Sequence, residues 1–130
     1  MVFAEIYVKK GDIREGGVIL EELKRTLTCS AIYARAAALD MVESVSRDAT
    51  VCKEHWQLTG TVEVYGNESK VSVEVTHLDE NFSELHIKMQ SPAPNLSPDG
   101  QNRVLIFLAD GIEQLLENTF AQGKKKEMIV

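Results

Sequence analysis

Residues 61–90 read TVEVYGNESKVSVEVTHLDENFSELHIKMQ, and their apolar side chains recur at every second position. Val62 and Val64 alternate with Thr61, Glu63 and Tyr65. Val71, Val73 and Val75 alternate with Ser72, Glu74 and Thr76, and Leu85, Ile87 and Met89 alternate with Glu84, His86, Lys88 and Gln90. A period of two is the mark of strands with one buried and one wet face. Gly66-Asn67-Glu68-Ser69 and Asp79-Glu80-Asn81 supply turn residues between them, and such short connections imply an antiparallel meander. Matching the apolar positions sets Val64 opposite Val73 and Val75 opposite Ile87, because a slip of one residue would expose every valine. In that register three polar rows cross the wet face: Thr61–Thr76–His86, Glu63–Glu74–Lys88 and Tyr65–Ser72–Gln90.

The valine face needs a cover, and the flanking segments are read as supplying it. Residues 2–8 alternate and are read as a first strand, followed by a connection marked by Gly11, Gly16 and Gly17. Ile19, Leu20, Leu23 and Leu27 then recur at helical spacing among Glu21, Glu22, Lys24 and Arg25, which predicts an amphipathic helix. Residues 31–39 continue in strong helix formers with Ile32, Ala36 and Leu39 on one stripe. Whether residues 18–39 make one helix or two stays open. All three prolines fall within 91–100, SPAPNLSPDG, a loop. Beyond it Val104, Leu105, Leu108, Ile112, Leu115, Leu116 and Phe120 fit one long helix, capped by Ser97 or Asp99 and stopped by Gly123. The run VLIFLA at 104–109 also fits a buried strand, which would leave Asp110 at a strand end beside a helix N-terminus, where α/β proteins hold ligands.

The fold expected is therefore α+β and two-layered: a mainly antiparallel β-meander sheet with one face covered by an N-proximal helical region and a C-terminal helix. The 130 residues suffice for one domain, taken as 1–123, with a short basic and then apolar tail at 124–130. Fourteen Lys and Arg against twenty Asp and Glu leave a net charge of −6, which argues against a nucleic-acid partner. Lys124, Lys125 and Lys126 are too few to reverse that. The opening MVFAEIYVKK lacks the pattern of a signal peptide or a spanning helix, so a cytoplasmic setting is expected, with Cys29 and Cys52 as free thiols.

The sequence has no Gly-rich phosphate loop, no hydrolase elbow and no paired-histidine zinc motif, so neither cofactor nor metal is expected. The densest chemistry lies in Cys52-Lys53-Glu54-His55-Trp56. As a helix the segment would bring thiol and imidazole together at i and i+3; as a strand, the reading favoured by Val51 and Leu58, it would separate them. Glu63 and Glu74, side by side in the proposed register, are a second acid–base candidate, although water and Lys88 would screen them. His77 and His86 fall on opposite faces and cannot share a metal. Trp56, Tyr65, His86, Lys88 and Asp110 are the candidates for contact with a ligand or partner. These observations point first to a non-catalytic binding or assembly protein, self-associating or bound to another protein. The alternatives are a small-molecule-binding domain with a pocket between sheet and helices, and a small enzyme using Cys52 and His55 or Glu63 and Glu74.

Overall fold

A computed structural model describes the backbone at residues 4–14, 17–64, 66–91, 94 and 96–129, and the side chains at 22–64, 66–91, 94, 96–97 and 99–120. Its elements run β1 (Ala4–Arg14), β2 (Gly17–Leu27), α1 (Ala31–Val45), β3 (Thr50–Cys52), β4 (Gln57–Val64), β5 (Asn67–Asp79), β6 (Phe82–Ser91) and α2 (Pro98–Ile129). The described strands form one sheet in the order β1-β2-β6-β5-β4-β3, antiparallel throughout. The fold is α+β, with an N-proximal and a C-terminal helix packed on one face.

The principal correction falls on residues 19–27, which belong to β2 and not to a helix. Leu23, Arg25 and Leu27 face inward and are buried, while Glu22, Lys24 and Thr26 face the other side. That is a period of two, with a charged residue at an inward position. Gly11 likewise lies within β1, where the pairing with β2 shifts register, and the connection falls between Arg14 and Gly17.

The apolar parity of the meander is as expected, but its register is not. Leu58, and not Val64, pairs with Val73; Val75 pairs with Leu85, and Ile87 with Val73. Each difference is an even number of residues, so the buried face is preserved while the partners change. The reason lies in the turns. Val64 pairs with Asn67 across a two-residue connection containing Gly66, whose φ of 78° is the left-handed region that glycine tolerates. The hairpin is therefore tighter than the sequence suggested.

Leu58, Val62, Val64, Val71, Val73, Val75, Leu85 and Ile87 form the sheet side of the core. Burying each such side chain is worth roughly 1.5–3 kcal/mol, which holds the strand parity firmly. α1 lies over β4, β5 and β6, and α2 over β2 and β6. In α1 the buried positions are Ala31, Ala34, Ala37, Ala38 and Val42, whereas Ile32 and Ala36 point outward. The expected Ile32–Ala36–Leu39 stripe is thus rotated: small alanines let the helix approach closely, and Ile32 is left outside.

Residues 104–109 are helical, which removes the strand alternative. Val104, Leu105, Leu108, Ile112 and Leu116 are buried and Leu115 and Phe120 half-buried, the stripe expected from spacing. Ser97 caps α2: its hydroxyl accepts from the Gly100 amide at 3.0 Å, and its carbonyl from the Gln101 amide at 2.9 Å. Gly123 does not stop the helix, whose backbone runs on to Ile129.

At Gly111 the two helices approach closely. A Cβ there would collide with Met41 Sδ and come within 2.6 Å of its terminal methyl. Exchanging a helical glycine for alanine ordinarily gains up to ~1 kcal/mol, and here that gain is opposed by displacement of Met41. Gly111→Ala alone should give no stabilisation in urea unfolding, whereas in a Met41→Ala background it should stabilise by about 0.5–1 kcal/mol. Additive effects in this cycle would contradict the close approach of α1 and α2.

Candidate functional site

The strand directions bring three segments to one end of the molecule. β5 and β3 end there, β6 and β4 begin there, and α1 starts there after β2. The end is therefore built from the β3–β4 turn, the β5–β6 hairpin and the first turn of α1. β4 starts at Gln57, opposite Glu74, so β5 beyond that point has β6 on one side and no described strand on the other. An unpaired edge carbonyl needs a donor. Arg35 of α1 supplies it, donating Nε and Nη2 to the Val75 carbonyl at 3.3 and 3.1 Å. Its guanidinium also lies 5.9 Å from the ring centre of Trp56, on the β3–β4 turn.

Arg35 places Ile32. Ile32 lies three residues nearer the start of α1, about 4.5 Å along the helix axis, and so at the end to which the β5–β6 hairpin also belongs. Among the described side chains the large apolar ones exposed are Ile32 at 77%, Tyr33 at 51%, Leu78 at 49%, Phe82 at 40% and Ile106 at 40%. Four of the five belong to this end. Tyr33 meets Phe120 of α2 edge-on, ring centres 5.6 Å apart.

The same end holds Cys52 and His55, and here the strand reading is corrected. β3 closes at Cys52, and Lys53–Trp56 form a turn before Gln57 pairs back to Cys52. The change of direction cancels strand parity and brings Cys52 Sγ within 3.9 Å of His55 Nδ1, both exposed. Trp56 is half-buried and packs against the core.

The other candidates lie elsewhere. The row Glu63–Glu74–Lys88 does not form: Glu63 faces Glu68, Glu74 faces His86 and Gln57, and Lys88 faces Glu22 and Ser72. The Thr61–Thr76–His86 row is likewise absent, with Thr61 opposite Lys70 and Thr76 opposite Glu84. Tyr65 lies outside the described residues. Gln57 Nε2 donates to Ser72 Oγ at 2.9 Å and reaches Glu74 Oε1 at 3.5 Å. His86 Nε2 lies 2.6 Å from Glu22 Oε1, diagonally across the β2–β6 pair, with both side chains largely covered. Glu22 lies in a segment whose apolar spacing fits a helix, so no local pattern in the sequence places it beside His86. Asp110 is not at a strand end; it binds Arg25 of β2 at 2.8 Å, and Glu113 stands 3.1 Å from the same guanidinium nitrogen. Arg25 is 6% exposed, so these carboxylates serve first to hold a buried cation.

At the opposite end a groove of about 620 Å³ is lined by residues 43–48 with Thr61, Glu63 and Glu68. Asp48 organises it. Its carboxylate accepts from the Thr61 amide at 2.7 Å and the Ser46 hydroxyl at 2.8 Å, bonds that hold its pKa below the ordinary Asp value. Among the described residues no group of three or more potential ligands is placed to hold a metal. No helix there is long and apolar enough to cross a membrane.

No family model matches the chain, and no curated protein or solved structure matches it either.

Two substitutions test this geometry. A depressed carboxylate pKa stabilises the fold above the ordinary Asp value and ceases to do so as pH falls through the folded value. Asp48→Ala should therefore be less stable than the parent at neutral pH, the gap closing on acidification; a pH-independent gap would contradict the Thr61 bond. Glu68→Lys should stabilise by about 0.2–1 kcal/mol by turning the facing Glu63–Glu68 pair into one of opposite charge, less so at high salt. The register expected from sequence, with Glu63 opposite Glu74, predicts no such gain.

Proposed function

We propose that the protein is a non-catalytic assembly module that pairs with a second copy of itself through the end where α1 begins. The observation that carries this reading is the exposure of Ile32, at 77%, at the same end as Leu78 and Phe82. Isolated apolar residues are ordinary on a protein surface, but several gathered together mark contact surfaces. A second copy fits because residues 76–79 of β5 run past the start of β4 and offer a strand edge. Antiparallel edge pairing about a two-fold axis is self-complementary, so one segment serves both partners. Such pairing would bring the Leu78 and Phe82 hairpins together and remove their apolar surface from water.

Sedimentation velocity from low micromolar to sub-millimolar concentration tests this. The parent chain should pass from monomer to dimer, and Ile32→Lys combined with Phe82→Lys should remain monomeric with an unchanged far-UV spectrum. Added salt should strengthen the association, since two copies of net charge −6 repel and the contact itself is apolar. A parent chain that stays monomeric throughout, or a dimer untouched by the double substitution, would overturn the proposal.

A further inference from the structure

The β3–β4 turn, at the same end of the molecule, carries a second chemistry. Cys52 is exposed, its Sγ lies 3.9 Å from His55 Nδ1, and the two side chains bracket a turn that opens to solvent. We propose that Cys52 and His55 form a thiol-modification site that takes low-molecular-weight disulfides of the glutathione class.

The parts required for disulfide exchange are present. The attacking species is a thiolate, and a thiol in contact with an imidazole has a proton acceptor at hand. Cys52 Sγ attacks one sulfur of the disulfide as its proton passes to His55. A bond forms between Sγ and that sulfur while the reagent's own S–S bond breaks. The departing thiolate collects the proton from His55 and leaves as a thiol, so Cys52 is oxidised to a mixed disulfide and half of the reagent is reduced.

The turn, counted with Arg35, carries more positive than negative charge. Lys53 lies between the pair in sequence, and Arg35 stands against Trp56 on the same turn, two cations against Glu54. Oxidised glutathione carries net negative charge, so these cations draw it toward the turn. Cys29 is the internal contrast: only 4% exposed, its thiol pushed up by burial. It lacks both access and a readily formed thiolate.

The probe is oxidised glutathione, and the readout is the rate of adduct formation by intact-mass spectrometry across pH, with the site located by peptide mapping. The parent chain should gain one glutathionyl group, on Cys52, and Cys29→Ser should react at the parent rate. Cys52→Ser should gain none. His55→Gln should react at least about tenfold more slowly near neutral pH, the difference shrinking at alkaline pH where the thiol ionises unaided. Far-UV spectra and urea midpoints check that each variant is folded, and the exposed turn makes both substitutions tolerable. An adduct on Cys29, or His55→Gln reacting at the parent rate at every pH, would overturn the proposal. The rates are measured at low micromolar concentration and repeated in the Ile32→Lys, Phe82→Lys background, so that shielding of Cys52 by a second copy is distinguished from failure of the Cys52–His55 site.

Discussion

The structure depends on one seam. Residues Glu22–Leu27 of β2 pair with Ser83–Lys88 of β6, and without that pairing the N-terminal hairpin and the four-stranded meander would be separate sheets. A lone two-stranded hairpin is marginal in water, so joining it to the meander is what gives β1 and β2 a stable setting. The seam also sets the core, placing Leu23 opposite Ile87 and bringing Leu27 to the end of the sheet beside Ser83. On its inner side it carries Arg25, which is held by Asp110 and Glu113 of α2; on its outer side Glu22 reaches His86. One six-residue pairing thus ties together the hairpin, the meander and the C-terminal helix.

That seam is also what the sequence concealed. The stretch from Ile19 to Leu27 satisfies a helical template because Leu20, Leu23 and Leu27 recur at the right spacing among strong helix formers. Its strand pattern is masked by Arg25, a charge at an inward position that a two-period count scores as polar. The partners that make Arg25 acceptable there, Asp110 and Glu113, lie more than eighty residues away, and no local window contains them. By contrast the meander and α2 were legible, since their buried residues form clean periods with no charge among them. The register failed only by even steps, because parity is fixed by burial while absolute alignment is fixed by the turn at Gly66. Cys52 and His55 were noticed as neighbours, yet a strand reading separated them; the turn at Lys53–Trp56 has no glycine or proline to announce it.

Unequal strand lengths explain how the two ends of the molecule acquire different chemistry. β3 is short, so β4 runs beyond it at one end, and there the freed Thr61 amide is taken by the Asp48 carboxylate. β5 outruns β4 at the other end, and there the Val75 carbonyl is taken by the Arg35 guanidinium. A bare edge N–H needs an acceptor and a bare edge C=O a donor; here a carboxylate and a guanidinium fill those roles, which leaves an acidic group at one end and a basic group at the other. Arg35 then braces Trp56, and Trp56 holds the turn on which Cys52 and His55 meet.

The same reasoning accounts for the exposure of Ile32. α1 lies close over three strands, where a face made mostly of alanines keeps the approach short, and it meets α2 at Gly111 through Met41. Giving that face to Ala31, Ala34, Ala37 and Ala38 turns the bulkier neighbour Ile32 about 100° around the helix from Ala31 and into solvent. Leu78 and Phe82 are exposed for a related reason: they lie where the β5–β6 hairpin runs past the start of β4. Fold geometry alone explains why these side chains are not in the core, but it does not explain why they are apolar. A lysine at position 32 would keep helix propensity and cost no buried contact. That an isoleucine stands there, at the same end as a leucine and a phenylalanine, is what the proposed pairing with a second copy would account for.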